Sequence, residues 1–300
     1  MPVEMSESAG GLPMAIVSNK ATGASVRVHL QGAHVEGWTT AQNERPLYMS
    51  PATEYKEGKP LRGGVPVCWP QFSDFGPCKA MHGFARNNMW DVEGCDDEDQ
   101  NTILRLALRS VSGADVPAPF DALKLKFSVA LVGADRLKME LLVTNPTDAA
   151  VEFTTALHTY FAVSEISAVR IEGVLDTVPY ADSLEQRVEK PAAEIRVIDK
   201  EVDRIYKGTD GKEVRIINGQ TGAVTTITAA NLNDTILWNP WIEKAKRLAD
   251  LPDEDYHKFV CVESAAVYNK ATVAPGATWT GSQLIRYQGE LGLSASSAKI

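Results

Sequence analysis

Alternation of apolar and polar side chains in the middle of the chain constrains the fold more than any other feature. Residues 123–131 read LKLKFSVAL, and residues 137–143 read LKMELLV. A period of two places successive side chains on opposite faces of a β-strand. The turn-like Gly133-Ala134-Asp135 joins the two segments, and Asn145-Pro146 ends the second. The pattern predicts a hairpin with one buried face.

Other segments indicate the same fold class. Residues 104–109, 224–228 and 279–287 also read as strands, and turn signals separate them at Asn218-Gly219, Asp210-Gly211 and Pro275-Gly276. Helical periodicity is weak: only residues 242–249 suggest a short helix, and Pro252 would stop a longer one. Many short strands without alternating helices predict an all-β protein built as an antiparallel sandwich.

The domain organisation follows from length and composition. A chain of 300 residues can form two domains or one large β sandwich or barrel. We find no internal repeat and no low-complexity linker that would divide it. We therefore expect a single domain over residues 13–290, with flexible tails at 1–12 and 291–300.

Charge and cysteine content narrow the possible partners and the compartment. The formal net charge is −9 and there is no basic stripe, so we expect neither nucleic acid nor membrane as a partner. No secretory signal or membrane-spanning run is evident. Four cysteines without a CxxC pair fit neither a zinc framework nor a disulfide scaffold, which favours a cytoplasmic protein. The C-terminal Ala298-Lys299-Ile300 resembles the peroxisomal Ser-Lys-Leu signal, so import into a peroxisome-like organelle is the alternative.

The segment between Arg62 and Arg86 is the strongest candidate for a binding loop. It reads RGGVPVCWPQFSDFGPCKAMHGFAR and is dense in glycine, proline and aromatic residues. Arginine presents a rigid fork of donors that matches phosphate or carboxylate oxygens. The alternative is two surface arginines on an irregular connection. His82 lies in the same segment and could contact a ligand or be structural.

His158 and Glu263 are the candidate acid–base groups. In the apolar segment 151–163, His158 falls on the face opposite the apolar stripe, beside small residues; a structural histidine is the alternative. Glu263 interrupts the apolar segment 258–269, where an unpaired charge would be costly. It could be paired, lie at a strand edge or face a cavity. In an apolar setting its pKa would rise toward the range of a general base.

Two further elements are weaker candidates. Asp203 begins a possible binding loop, DRIY, which could equally be plain surface. Trp238 and Trp241 fall on an expected turn, where an indole could pack against a sugar ring or belong to the core. No P-loop, G-x-G-x-x-G, nucleophile elbow or H-E-x-x-H is found. The remaining set suits proton transfer on a phosphorylated polar substrate without a metal or an organic cofactor.

Six segments in order resemble the motifs of the glucose-6-phosphate 1-epimerase family, within the aldose 1-epimerase (galactose mutarotase-like) superfamily: RGGVPVCWPQF, HGFAR, LHTYFAV, VDRIY, WNPW and VCVES. The resemblance implies an all-β galactose mutarotase-like supersandwich with few short helices. It implies an isomerase that interconverts the α and β anomers of a hexose 6-phosphate, without cofactor or metal. We expect a monomer.

The resemblance also implies roles for single residues. His158 matches the catalytic histidine and Glu263 the catalytic glutamate, while Arg62 and Arg86 match the arginines that hold the phosphate. Asp203 matches a substrate-binding aspartate, and His82 and Trp238 are further substrate-binding candidates. The family usually has Gln where this chain has Met81, so one hydrogen bond to the sugar is missing or supplied elsewhere.

Two alternatives to a hexose-6-phosphate epimerase stay open. One is an aldose 1-epimerase of unphosphorylated sugars, in which the arginines only stabilise their loop. The other is a non-catalytic protein that binds sugar phosphates.

Overall fold

A computed structural model describes residues 2–111, 116–194 and 197–289. The C-terminal tripeptide and the expected tail at 291–300 lie outside this range. The first half of the described chain contains the strands β1 (Val3–Glu7), β2 (Pro13–Ser18), β3 (Ser25–His29), β4 (His34–Thr39), β5 (Val67–Cys68), β6 (Trp90–Glu98), β7 (Asn101–Leu108), β8 (Lys124–Val132) and β9 (Arg136–Thr144).

The second half adds the strands β10 (Val151–Leu157), β11 (Tyr160–Ala162), β12 (Val169–Gly173), β13 (Tyr180–Asp182), β14 (Val188–Lys190), β15 (Val202–Lys207), β16 (Val214–Asn218), β17 (Val224–Ala230), β18 (Asp234–Asn239), β19 (Phe259–Val273) and β20 (Thr278–Gln288). The helix α1 (Trp241–Ala245) accompanies them. Short 3₁₀ helices lie at Ala85–Asn87, Ile166–Ala168, Val174–Asp176, Ser183–Glu185 and Asp253–Lys258.

The strands predicted from alternation are confirmed. β8 and β9 form the predicted hairpin, with Phe127 opposite Leu141. Both side chains are buried, as the apolar face of the pattern requires. The segments predicted at 104–109, 224–228 and 279–287 correspond to β7, β17 and β20.

Two large antiparallel sheets form the body of the molecule. One has the order β14-β13-β15-β18-β19-β10-β5, with β11 paired to β19; the other has the order β12-β16-β17-β20-β9-β8-β7-β6. Phe153 of the first sheet meets the edge of Trp279 of the second, with ring centroids 5.1 Å apart. The buried side chain of Gln283 in β20 also hydrogen-bonds to residues beside β10 and in β19. The predicted antiparallel sandwich is therefore confirmed.

The N-terminal residues differ from the expectation. The sequence predicted a flexible tail over 1–12, but β1 pairs with β2 and places Val3 opposite Val17. β1 is the edge of a four-stranded sheet, β1-β2-β3-β4. Its pairing uses backbone groups, which a polar composition does not reveal.

Helical structure is sparse, as predicted. The helix expected at 242–249 is α1, which begins one residue earlier and ends at Ala245. No helix among the described residues is long and apolar enough to cross a membrane.

Candidate active site

A cavity of about 510 Å³ lies on one face of the sheet that contains β15, β18 and β19. Its volume is in the range of small-molecule binding sites. The eight residues predicted to be catalytic or substrate-binding all line it: Arg62, Met81, His82, Arg86, His158, Asp203, Trp238 and Glu263.

The register of the central strands explains why the strand residues meet. Asp203 of β15 lies opposite Trp238 of β18, and Trp238 lies opposite Cys261 of β19. Ile236 lies opposite Glu263 in the same pairing. Residues directly opposite, and those two apart on one strand, share a face of a sheet. The alternation in β19 therefore turns Glu263 toward the cavity.

His158 lies in a break between two strands. The sequence predicted one strand over 151–163, but β10 ends at Leu157 and β11 begins at Tyr160. The His158 N–H donates to the Pro66 carbonyl (3.0 Å), one step beyond the last β10–β5 pair, but Pro66 has no N–H to return a bond, so the ladder ends there. The imidazole stacks on the Tyr160 ring at 4.9 Å and meets the edge of Trp238 at 5.9 Å. These contacts fix the ring without using its nitrogens.

His158 and Glu263 face each other at the bottom of the cavity. His158 Nδ1 lies 3.2 Å from Glu263 Oε1. Within the described residues, Nδ1 and Glu263 Oε2 have no hydrogen-bond partner with good geometry, although the two side chains are only 10% and 1% exposed. Buried polar atoms without partners are costly. The pair is therefore suited to bind hydroxyl groups of a ligand.

Burial shifts the pKa values of the two residues in opposite directions. Burial raises the pKa of Glu263 well above its ordinary value, and the nearby carboxylate of Asp203 adds to the effect. Burial also lowers the pKa of His158 well below its usual range, and His82, Arg62 and Arg86 lower it further. Both shifts favour a neutral carboxyl beside a neutral imidazole over an ion pair in the free protein.

Arg62 lies on a tightly packed loop, and two residues distant in sequence hold its guanidinium at the cavity wall. Gly64 adopts a left-handed φ of +56°, and a Cβ there would lie 2.1 Å from the Val35 carbonyl oxygen, so the loop packs too tightly for a side chain. Arg62 Nε donates to Asp250 Oδ1 (3.0 Å), and Nη1 donates to the Tyr160 hydroxyl (3.1 Å). The guanidinium is thus fixed beside the ring that stacks on His158.

Arg86 approaches the same cavity from the short 3₁₀ helix Ala85–Asn87. Its Nη2 donates to the Met81 carbonyl (2.9 Å). Its buried Nε has no hydrogen-bond partner, and no carboxylate forms an ion pair with it among residues 2–111, 116–194 and 197–289. The two predicted arginines therefore do meet at one cavity, and one of them lacks a counter-ion there.

His82 and Met81 have different positions in the site. His82 Nδ1 accepts the Ser73 N–H (3.1 Å) and lies 3.3 Å from Cys68 Sγ. Burial, Arg86 and Arg62 lower the pKa of His82 to about 3, so it is neutral. Met81 is 57% exposed at the rim. Met81 contributes to the site through its backbone, because its carbonyl oxygen accepts the hydrogen bond from Arg86.

Two expectations about local structure are wrong. Asp203 was expected in a loop but lies in β15, where its carboxylate is 3.5 Å from Lys244 Nζ. Trp238 was expected on a turn but lies in β18, paired on both sides. Polar residues beside Asp203 and the Asn-Pro after Trp238 suggested turns, but strand pairing overrode them. Trp241 packs on Tyr256, so the two indoles do not form a joint platform.

Sequence analysis missed several residues of the cavity. Lys244 and Arg187 line it, and Asp250 and Tyr160 bond to Arg62 behind it. Arg187 pairs with Asp74 and lies over the Phe75 ring at 4.1 Å. These residues belong to no motif, and only tertiary contacts bring them to the site.

Metal binding is disfavoured at the same place. Ligand atoms of His158, Cys261 and Glu263 lie within 4.8 Å of one another. Burial raises the pKa of both Cys261 and Glu263, which opposes the deprotonated forms that bind metals. The positive charges of Arg62 and Arg86 in the same cavity also repel a cation.

The chain resembles known proteins in sequence and in fold. The family model described as "Aldose 1-epimerase" matches residues 14–286. A Cenchrus ciliaris protein named "Putative glucose-6-phosphate 1-epimerase" is 32% identical over 89% of this chain and 82% of its own length. An Escherichia coli protein of the same name is 30% identical over 79% of this chain and 78% of its own. The crystal structure of a "putative mutarotase" from Salmonella typhimurium superimposes with a TM-score of 0.86, at 24% identity, covering 96% of this chain and 94% of the other.

Proposed function

The chain belongs to the aldose 1-epimerase family of isomerases, and from that premise we propose that it interconverts the α and β anomers of hexose 6-phosphates, glucose 6-phosphate in particular. The observation that carries the proposal is a single cavity that holds both arginines together with His158 and Glu263. The names of the Cenchrus and Escherichia relatives support the same substrate.

The pair at the bottom of the cavity would supply acid and base. Opening of the sugar ring requires a proton on the ring oxygen and removal of the proton from the anomeric hydroxyl. Both oxygens are attached to C1, so the two groups must lie side by side, as the 3.2 Å separation provides. Glu263 takes the hydroxyl proton, His158 protonates the ring oxygen, and the C1–O5 bond breaks as C1=O1 forms. Each group contributes a factor of about 10²–10⁴.

Epimerisation then needs only a rotation. The open aldehyde turns about its C1–C2 bond and recloses on its opposite face, with the proton transfers reversed. During this movement Arg62 and Arg86 would hold the phosphate through charge-assisted hydrogen bonds of about 1.5–3 kcal/mol each. Asp203 would accept a hydrogen bond from a sugar hydroxyl, and Trp238 would contact the ring.

Magnetisation-exchange NMR tests the function directly. We expect the protein to accelerate α–β exchange of glucose 6-phosphate far more than that of glucose, since only the ester can bind both arginines. Glucose measured under the same conditions is the control. Absence of acceleration with both sugars, despite binding of the ester, would indicate a binding protein and would overturn the proposal.

An aldose 1-epimerase of unphosphorylated sugars is the second candidate. It is favoured by the bonds of Arg62 to Asp250 and Tyr160, which give this arginine a structural role. Equal acceleration of glucose and glucose 6-phosphate would support this second function.

A further inference from the structure

Resting on the proposed function, we propose that the substrate's own phosphate activates the acid: by neutralising Arg62 and Arg86, a bound dianion allows His158 to become the imidazolium that ring opening requires. The phosphate site would then act on the chemistry at C1 as well as on binding.

Arg62 is connected to His158 through one side chain, that of Tyr160. Arg62 Nη1 donates to the Tyr160 hydroxyl at 3.1 Å, and the Tyr160 ring stacks on the imidazole at 4.9 Å with an interplanar angle of 9°. Tyr160 and His158 are both buried. Charges interact more strongly where water is excluded, so the guanidinium opposes a second positive charge on His158.

Of the two arginines, Arg86 has less of its positive charge offset by carboxylates. Arg62 is partly offset by Asp250, whose carboxylate lies 3.0 Å from Nε. Arg86 faces the same cavity, and within the described parts of the chain it forms no ion pair. A phosphate dianion placed between the arginines would therefore change the local field mostly at Arg86.

Other charged and titratable side chains also surround His158. Lys244 and Asp203, across the cavity, offset each other at 3.5 Å. His82, at 5.4 Å between ring centroids, is neutral because burial lowers its pKa to about 3. Burial raises the pKa of Tyr160 and of Cys261, so both stay protonated. Arg187 also lines the cavity, but it is paired with Asp74. Besides burial, the charges left to decide the state of the pair are therefore those of Arg62, Arg86 and Glu263.

Burial and these charges together favour the proton on Glu263 in the free protein, and Glu263 is the wrong partner for ring opening. With the proton on Glu263 and His158 neutral, the pair has the protonation state that the reaction reaches only after the ring has opened. Transfer of that one proton across the 3.2 Å from Glu263 to His158 Nδ1 creates the carboxylate base and the imidazolium acid together. The pair gains and loses no proton. Burial opposes this transfer as well, and cancelling the arginine charges removes the part of the opposition that comes from the two cations.

Histidine NMR with an unreactive ligand tests the proposal. The protein, labelled with ¹⁵N in its histidine rings, is compared at pH 7 alone and saturated with 1,5-anhydroglucitol 6-phosphate, which lacks the anomeric hydroxyl. His158→Gln assigns the signal, and ³¹P shifts confirm saturation. We expect neutral imidazole in the free protein and imidazolium in the complex, but not with 1,5-anhydroglucitol. A neutral His158 in the saturated ester complex would overturn the proposal.

The outcome is separable from that of the proposed function. Rapid exchange of glucose 6-phosphate with His158 still neutral in the complex would reject the activation and leave the epimerase. An ester that does not bind at all would contradict both.

Arg86→Met provides a second test that does not depend on the ligand. If this charge lowers the pKa of His158 by about one unit, its removal should raise the imidazolium population of the free protein about tenfold. Exchange of unphosphorylated glucose should then be faster than in the wild type, while KM for glucose 6-phosphate rises. Arg86→Lys keeps the charge and is the matched control. Glucose exchange in Arg86→Met at or below the wild-type rate, with His158 still neutral, would contradict the proposal.

Discussion

At the scale of single residues, we expect Glu263 to support activity and, at alkaline pH, to lower the stability of the fold. It is 1% exposed, and Oε2 has no hydrogen-bond partner among the described residues. Because burial raises its pKa above the ordinary 4.5, the carboxyl favours the folded state below that pH. This contribution is lost as the pH rises through the pKa of the folded state. At pH 8 the group therefore lowers the free energy of unfolding.

Glu263→Gln should reduce activity and raise stability together. We expect α–β exchange of glucose 6-phosphate to fall by about 10²-fold or more, since a base is lost. The melting temperature at pH 8 should rise, because the amide is uncharged and nearly the same size. Glu152→Gln, at a solvent-exposed position of β10, is the control and should change neither quantity. Near-normal exchange in the Glu263 variant would remove this residue from the mechanism.

At the scale of elements, one amide connects the two strand segments that hold the candidate pair. Gln283 Oε1 accepts the Thr159 hydroxyl at 2.7 Å, and Nε2 donates to the Ser264 hydroxyl at 2.9 Å. Thr159 follows His158 in sequence, and Ser264 follows Glu263. Gln283 lies in β20 of the opposite sheet and is fully buried. It therefore fixes the spacing of the pair from behind.

Gln283→Leu should lower kcat without changing KM. Loss of both bonds frees the two segments to move, and a misplacement of even 1 Å can cost about 10²-fold in rate. The arginines are untouched, so KM for glucose 6-phosphate should stay the same. Gln288→Leu, exposed on the same strand, is the matched control. A lower melting temperature with unchanged kcat would show that Gln283 contributes to stability alone.

The sequence predicts correctly those strands whose formation depends on a local alternating pattern. The alternation in β8 and β9 places both strands, because each is long and buries one face. The break at His158 and Thr159 was not predictable, since it depends on tertiary neighbours: Pro66, which has no N–H to donate, and Gln283, which accepts the Thr159 hydroxyl. The eight predicted site residues all line one cavity, whereas Asp250 was missed because it meets Arg62 across 188 positions of sequence.

At the scale of the whole molecule, buried histidines make the fold sensitive to acid. Burial and His29 lower the pKa of His34 to about 3, and burial and the arginines do the same for His82. Both values lie below the 6.5 of an unfolded chain, so unfolding takes up protons between these limits. The stability that these groups contribute is complete above pH 6.5 and is lost as the pH falls toward 3.

Urea unfolding at pH 6.5, 5.5 and 4.5 checks this dependence. We expect the free energy of unfolding to fall by about 1.4 kcal/mol per pH unit for each buried histidine that titrates. His82→Asn should reduce the slope by one such increment, and asparagine tolerates the φ of +65° at this position. An equal slope in wild type and variant would contradict the assignment.

Some residues that line the cavity belong to strands and others to the connections between strands. This difference has an evolutionary consequence. Trp238 and Glu263 come from paired strands, whereas Arg62, Arg86 and Arg187 come from the segments that join strands. Loops accept substitution and insertion more readily than paired strands. A descendant can therefore bind a different group by remodelling these connections, while Trp238 and Glu263 keep their places in the sheet.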